Sequence, residues 1–363
     1  MALSKAEFLP EELIIDIFYR LPVKSIGRCR CLSKHWRNFL SDPQFIKLHF
    51  NLHANTQEEK LIIVTDHLEL HSITLNHHMP QNGEIYGISR KLYFPHISVD
   101  WGYVYASCNG LVLVADSDNV QFLINPTTLK CHKIPTLSLV RCWNMYGLGY
   151  NVVSDDFKVV VLSFPISNKE NKTFTCVYMY SLRKGLWEKL ENSPYDHSRF
   201  HLCSGAFVNG ALHWLACTTS ENSTTIAAFD LSVDKFSEVP KPTDLQNYCF
   251  MCIAALKGCL CVSTNLSPSM DTITFWIMKE YGVKESWTKF KITEPSFDVS
   301  RTTLVCSIGD DDVLLDVDVE VVVYNMKENQ RKNLLIDVNP INYDGLTFVD
   351  SLVSPYFGSE TEG

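Results

Sequence analysis

Apolar and polar positions follow two different rhythms along this chain. Over the first fifty residues apolar side chains recur at helical spacing: Leu13, Ile14, Ile17, Phe18 and Leu21 stand at i, i+1, i+4, i+5 and i+8. Pro10 suits a first helical position, where its missing N–H costs nothing, and Pro22 stops that helix and opens the next. Ser33 is placed to cap K-H-W-R-N-F-L, and Asp42-Pro43 to start Q-F-I-K-L-H-F. The spacing predicts three or four short helices. After the polar junction N-L-H-A-N-T-Q-E-E-K the period drops to two. Short β-branched and aromatic runs such as L-I-I-V-T, G-L-V-L-V, F-K-V-V-V-L-S-F and E-V-V-V-Y-N-M, broken by Gly, Asn, Asp and Pro, predict many short strands.

The strand phrases repeat. A turn followed by a strand recurs as C-N-G-L-V-L-V, V-N-G-A-L-H-W, L-K-G-C-L-C-V and, more loosely, I-G-D-D-D-V-L-L. A hairpin arm recurs as F-L-I-N-P, Y-M-Y-S-L, A-A-F-D-L and V-V-Y-N-M, and a Trp- or Phe-opened strand as L-W-E-K-L, K-F-S-E-V-P and S-W-T-K-F. Trp187 to Phe236 is 49 residues, Phe236 to Trp287 is 51, and Asn209 to Lys257 is 48. A period near 50 with about four strands per unit is that of propeller blades, and the 304 positions from 54 to 357 hold about six of them. The recurring Trp or Phe is expected to pack between blades, since no blade buries both its faces alone. The runs near 61 and 346 look like partial units that share one blade and close the ring.

Composition narrows the classes. With 46% hydrophobic and 20% charged residues the chain has a globular composition. It contains no run of apolar residues long enough for a membrane helix and no basic-then-apolar leader, so cytosol or nucleus is expected. The 13 cysteines, odd in number and irregularly spaced, argue for reduced thiols, and the acceptor triplets at Asn171, Asn222 and Asn265 for chance loop sequences. A net charge of −9 argues against a general nucleic-acid binder. That charge is uneven: residues 1–50 carry 8 Lys/Arg against 5 Asp/Glu, leaving 24 against 36 for the rest, or +3 and −12.

Candidate chemistry is sparse. C-F-M-C at 249–252 with C-L-C at 259–261 is the best metal candidate, but its spacing misses a zinc knuckle and buried core cysteines are the better reading. His49/His53 could share a helical face but lacks a completing carboxylate, His67/His71 falls where strand is expected, and these pairs, with His77/His78, read as structural. G-L-G-Y-N at 147–151 lacks the third glycine of a dinucleotide fingerprint and reads as a blade turn, and D-D-D at 310–312 as a solvated loop. No nucleophile elbow, P-loop or Ser-x-Asp-x-Gly-x-x-Trp box is present, so no enzyme activity, metal or cofactor is expected.

The helical head resembles an F-box along essentially its whole length. The landmarks are Leu9-Pro10, Leu13, Ile17, Leu21-Pro22-Val23-Lys24-Ser25, Arg28, Cys31, Ser33-Lys34, Trp36, Asp42-Pro43 and Phe45. The body resembles the F-box-associated domain of plant F-box/kelch-type proteins, through Y-G-L-G-Y-N-V-V-S-D-D-F-K-V-V, V-N-G-A-L-H-W-L, F-W-I-M-K-E-Y-G-V-K-E-S-W-T-K-F and F-V-D-S-L. The nearest subgroup resembles the F-box proteins linked to turnover of plant immune receptors, with S-locus F-box proteins as relatives. Single Asn-Gly or Lys-Gly turns replace the paired glycines of standard kelch repeats.

The resemblance implies an α+β multidomain protein: an all-α F-box at 1–53, then an all-β, six-bladed kelch-like propeller at 54–363. It implies a non-catalytic substrate receptor of a Skp–cullin–F-box ubiquitin ligase. The F-box would dock on a Skp-type adaptor, and through it a cullin scaffold, by Leu9, Pro10, Leu13, Ile17, Leu21, Pro22, Val23 and Trp36. Some of these must instead hold the helices together, and the sequence does not divide them. Family adaptors are acidic, so Lys24, Arg28, Arg30, Lys34 and Arg37 are expected to speed association. The propeller would hold a target protein, an immune receptor or another regulatory protein, with 137–146 and 192–203 as candidate rim segments. The competing readings are a small-molecule or glycan module, for which Trp143 is the loop-like aromatic, and a hydrolase on a propeller scaffold.

Overall fold

The structure, a computed structural model, describes residues 9–53, 58–76, 84–139, 142–166, 174–200, 204–218, 223–242, 250–265, 272–293, 302–308, 312–317, 320–339 and 346–356. Four helices open it: α1 (Glu11–Arg20), α2 (Val23–Cys29), α3 (Lys34–Leu40) and α4 (Pro43–His53). Pro10 and Pro22 stand one residue before their helices, at the cap positions, and Pro43 is a first helical residue. The Ser33 hydroxyl accepts the Trp36 N–H at 3.2 Å, and an Asp42 oxygen accepts the N–H groups of Gln44 and Phe45 at 2.8 and 3.3 Å. Both caps satisfy amides that an α-helix leaves unpaired at its start.

The end of α1 is closed from a distance. His49 and His53, one turn apart on α4, place Nε2 at 2.8 Å from the carbonyls of Leu21 and Tyr19. Carbonyls at a helix C-terminus lack intrahelical partners, so this histidine pair is structural. Burial lowers the His49 pKa, which favours the neutral ring.

The rest of the described chain is β. The 101–133, 142–189 and 250–293 segments each form a four-stranded antiparallel meander, and 195–239 forms a five-stranded sheet. Each of the turns Asn109-Gly110, Asn209-Gly210 and Lys257-Gly258 has positive φ at both residues, as type I′ hairpins require. A second turn recurs at the other hairpin of a sheet, where the amides of Leu129, Gly185 and Asp234 donate to the carbonyls of Asn125, Ser181 and Asp230 at 2.8–2.9 Å. The side chains of Asn125, Asn151 and Asn325 accept the amides two and three residues on.

Alternation explains how the sheets join. Ile62 and Val64 pack with Val112, Val114 and Phe122, whereas Leu61 and Ile63 face Leu314 and Val323. Leu111 and Leu113 turn to Leu148, Val159 and Val161. Leu162 meets Trp214 and Trp276 in one cluster, and Phe275 meets Leu315 and Tyr324 in another. Each strand presents alternate residues to opposite neighbours, and the succession of apolar layers returns to its start. The architecture is four helices followed by an all-β propeller.

Leu346–Phe348 pairs antiparallel with Lys60–Val64, so the two ends of the body share one sheet, as the partial repeats suggested. The expectation of six separate blades needs correction. Besides four free-standing sheets, the remaining strands form a single eight-stranded sheet, because Gln330–Ile336 pairs in parallel with Glu84–Lys91. Outer strands lie far apart in sequence, so no repeat period reveals whether they bond. G-L-G-Y-N is also not a turn: it lies in Cys142–Asn151, and the turn follows at 152–155. A Cβ on Gly147 would come within 2.8 Å of Trp214, and one on Gly149 within 2.5 Å of Leu231, so these glycines admit the neighbouring sheet.

Candidate protein-docking surfaces

The helical head divides its apolar residues between two tasks. Phe18, Val23, Ile26, Leu40 and Phe45 are buried together, with Ile14, Leu21, Trp36 and Phe39 packed around them. Leu13 and Ile17, one turn apart on α1 and 51% and 45% exposed, face outward, and Leu9, two residues before the helix, is 56% exposed. Pro10 and Pro22 are exposed at the helix starts. Of the eight residues assigned to adaptor docking, Val23 is therefore a core residue at 5% exposure, and Leu21 and Trp36 are mainly packing residues. The Trp36 ring lies edge-on to Phe18, centroids 4.9 Å apart. Sequence reasoning missed Leu32, Leu48 and Leu52, which are also exposed; Leu48 and Leu52 are one turn apart on α4, a spacing that could have shown them.

The basic residues divide similarly. Arg30 donates through Nη2 and Nε to the Leu40 carbonyl at 2.7 and 3.2 Å, closing α3, and Arg37 Nε reaches the Arg30 carbonyl at 3.4 Å. Lys24, Arg28 and Lys34 are exposed and remain suited to electrostatic steering.

The head is anchored to one end of the propeller. Leu352, from the far end of the chain, joins the helical core. Its neighbour Ser351 lies against Gly110, and the buried Asn125 amide donates to the carbonyls of Ser351 and Val353 at 3.0 and 2.7 Å. On α4, Lys47 Nζ is 3.0 Å from Asp155 in the 152–155 turn and 5.6 Å from the Tyr150 ring centroid. Hydrogen bonds from Tyr150 and then Lys47 hold the Asp155 carboxyl below its ordinary range. The head therefore sits at the end bearing the turns 109–110, 126–129 and 152–155.

The opposite end carries a row of aromatic rings. Tyr105 and Tyr146, on neighbouring sheets, stack at 4.2 Å and 21°, and Tyr103 continues the stack at 5.9 Å and 8°. The Tyr105 hydroxyl donates to Asn119 Oδ1 at 2.8 Å, and the Gln121 amide donates to the Asn119 carbonyl at 2.6 Å and the Tyr146 hydroxyl at 3.3 Å. Burial raises the Tyr146 pKa, opposed by the amides of Asn119 and Asn144. Trp143 is 45% exposed on the same strand as Tyr146, and Asn144 Oδ1 is buried without a hydrogen-bond partner. Of the expected rim, 142–146 lies here and 140–141 falls outside the described residues.

In the segment 192–200, Asn192, Pro194 and Arg199 are exposed, whereas Ser193, His197 and Phe200 are buried. His197 is fully buried, with its ring nitrogens at 3.0 Å from Ser193 Oγ and 3.2 Å from the Leu215 carbonyl, and burial pushes its pKa down to about 4. Residues 201–203 lie outside the description. Cys252 Sγ is 2.9 Å from Ser263 Oγ, and Cys261 is buried with Phe275 and Ile292, its thiol pKa pushed up by burial. Asp312 pairs with Lys332 at 2.9 Å and accepts the Asn325 amide at 2.6 Å. His71 Nε2 lies 3.3 Å from Glu69, and His67 is exposed. Cys249, His77, His78, Asn171, Asn222, Asp310 and Asp311 lie outside the described residues. Among the described residues no helix is long and apolar enough to cross a membrane.

The structure thus joins a small helical head with outward apolar residues to one end of an all-β propeller. Two family profiles match: the F-box domain over residues 7–48 and the F-box associated beta propeller domain over 59–342. The chain belongs to the F-box proteins that carry an F-box associated beta propeller domain. It is similar to F-box protein CPR1 of Arabidopsis thaliana, with 30% identity over 95% of this chain and 88% of that protein. An F-box/kelch-repeat protein of the same plant is 30% identical over 77% of this chain and 78% of its own length. Among solved structures, TolB from Acinetobacter baumannii aligns with a TM-score of 0.46 and 10% identity, over 85% of this chain and 73% of that one.

Proposed function

We propose that this chain is the non-catalytic substrate-recognition subunit of a Skp–cullin–F-box ubiquitin ligase, acting in the cytosol or nucleus. The F-box, taken as residues 1–53, docks on a Skp-type adaptor, and the propeller, 54–363, holds a target protein. The observation that carries this reading is the exposure of Leu13 and Ile17 on α1, with Leu9 just before it, left outside a core that the head completes without them. An apolar helical row of this kind fits a groove on a partner and is costly to leave in water. The chemistry is positioning: two anchored domains keep the target near the ubiquitin-charged enzyme and so raise its effective concentration.

The fusion of strands into an eight-stranded sheet fits a six-unit ring in which the first and last units bond through their outer strands. "Kelch-like" describes the repeat length here, with Asn-Gly or Lys-Gly turns in place of paired glycines. A second reading, a glycan or small-molecule module regulated by the F-box, is favoured by the exposure of Trp143.

The test is co-purification of a Skp-type adaptor with the full chain and with Leu13→Asp/Ile17→Asp. Capture by the first and loss by the second, with unchanged circular dichroism, is the expected result. Equal capture by both sinks the docking assignment.

A further inference from the structure

We propose that the tyrosine array on the propeller end remote from the F-box docks an arginine-bearing basic segment of the target protein. This rests on the receptor reading and names the chemistry of what is received. Tyr146 stands five residues before Asn151 on the strand Cys142–Asn151, about 17 Å of strand from the turn that Lys47 holds, and the Tyr105 hydroxyl reaches Asn119 in the turn at the other end. The array thus faces away from the adaptor, where a target can enter while the F-box is occupied.

Four observations select a cationic ligand. The rings of Tyr146, Tyr105 and Tyr103 are fixed in a stack, the first two by bonds to Gln121 and Asn119, and the stack ends on the half-exposed face of Tyr103. An electron-rich ring face held in place attracts a cation, and a planar guanidinium stacks on it better than an ammonium. Asn144, two residues before Tyr146 and so on its side of the strand, holds a buried carbonyl-type oxygen with no donor. A ligand rich in N–H groups would supply one. The exposed Asp100 and Asp118 lie at the turn that carries Asn119: the Ser117 amide donates to the Asp100 carbonyl at 2.7 Å, and Asp118 adjoins the Asn119 that Tyr105 bonds. The −12 balance of residues 51–363 adds an attractive field for a basic segment.

The test titrates a fluorescein-labelled octapeptide of alternating arginine and serine into the full chain and follows anisotropy. Saturable binding is expected, weaker at high salt, about tenfold weaker with Tyr103→Ala and retained by Tyr103→Phe. A glutamate–serine octapeptide should not bind. No saturable binding, equal affinity for Tyr103→Ala, or displacement of the peptide by a neutral oligosaccharide overturns the proposal. Adaptor capture is measured on the same proteins. Capture without peptide discrimination defeats this proposal alone, and peptide discrimination without capture defeats the receptor reading while leaving the basic-peptide site standing.

Discussion

The indole N–H of Trp287, on the outer strand of the 250–293 sheet, donates to the carbonyl of Pro240 at 2.8 Å, just past the outer strand of the preceding sheet. Trp187 makes the same bond to Pro135 at 2.6 Å, two repeats earlier. The recurring aromatic therefore does more than fill space between sheets: where it is Trp, it ties one sheet to the exit of the last. Trp287→Phe should keep the packing and lose the bond, costing about 1 kcal/mol, whereas Trp287→Ala should cost about 3–5 kcal/mol. Urea unfolding followed by far-UV circular dichroism separates the two.

Leu352 couples the two parts of the chain, since it is buried in the core of the helical head although it follows the last strand. A head of under fifty residues has little core to spare. Leu352→Ala should destabilise the head by about 2–3 kcal/mol. Hydrogen exchange is expected to rise in α1 to α4 while the 250–293 sheet stays protected. Uniform exchange across the chain would contradict this coupling.

Asn125 is fully buried and uses both ends of its amide, donating to Ser351 and Val353 and accepting from Thr127 and Thr128. Asn125→Asp keeps the shape but removes the donor and buries a charge. A loss of 2 kcal/mol or more is expected from the unpaired carbonyls and carboxylate, with faster proteolysis at the C-terminal segment. Wild-type proteolysis rates would argue that the tail is held by other contacts.

His197 and His213 are both buried, and burial lowers each pKa to about 4. The unfolded chain, with histidines near 6.5, binds more protons than the native state below that pH. Their contribution is complete above pH 6.5 and is lost as pH falls from 6.5 through 4. The melting temperature should drop over that window, and His213→Gln should flatten its part of the curve. His213 also touches the Tyr281 hydroxyl at 2.7 Å, so a fixed loss at neutral pH accompanies the flattening. A pH-independent melting temperature between 6.5 and 4 would refute the assignment.

Lys47 and Asp155 are both about half exposed, so their pair should contribute little stability. Lys47→Ala is expected to change unfolding free energy by less than about 1 kcal/mol yet increase exchange in α4. A large loss of stability would place the contact among the structural determinants of the fold.

Much of this architecture is legible in short stretches of sequence, because its causes are local. Asn-Gly at 109 and 209 demands positive φ, Ser33 and Asp42 announce helix starts, and the continuous apolar run from Leu61 to Val64 foretells a strand buried on both faces. The repeat near 50 residues follows because each blade re-solves the same packing problem. Other properties depend on residues that meet only after folding. Whether Val23 or Leu13 faces a partner is decided by where α3 and α4 lie, and the placement of Leu352 by a tail that returns after some 300 residues of chain. The bonding of Gln330–Ile336 to Glu84–Lys91 and the stacking of Tyr105 on Tyr146 likewise arise between segments whose spacing carries no period. Sequence determined the units and the kind of surface each must bury; tertiary structure decided which apolar and aromatic groups were left over, because burial is a property of neighbours brought together by the ring.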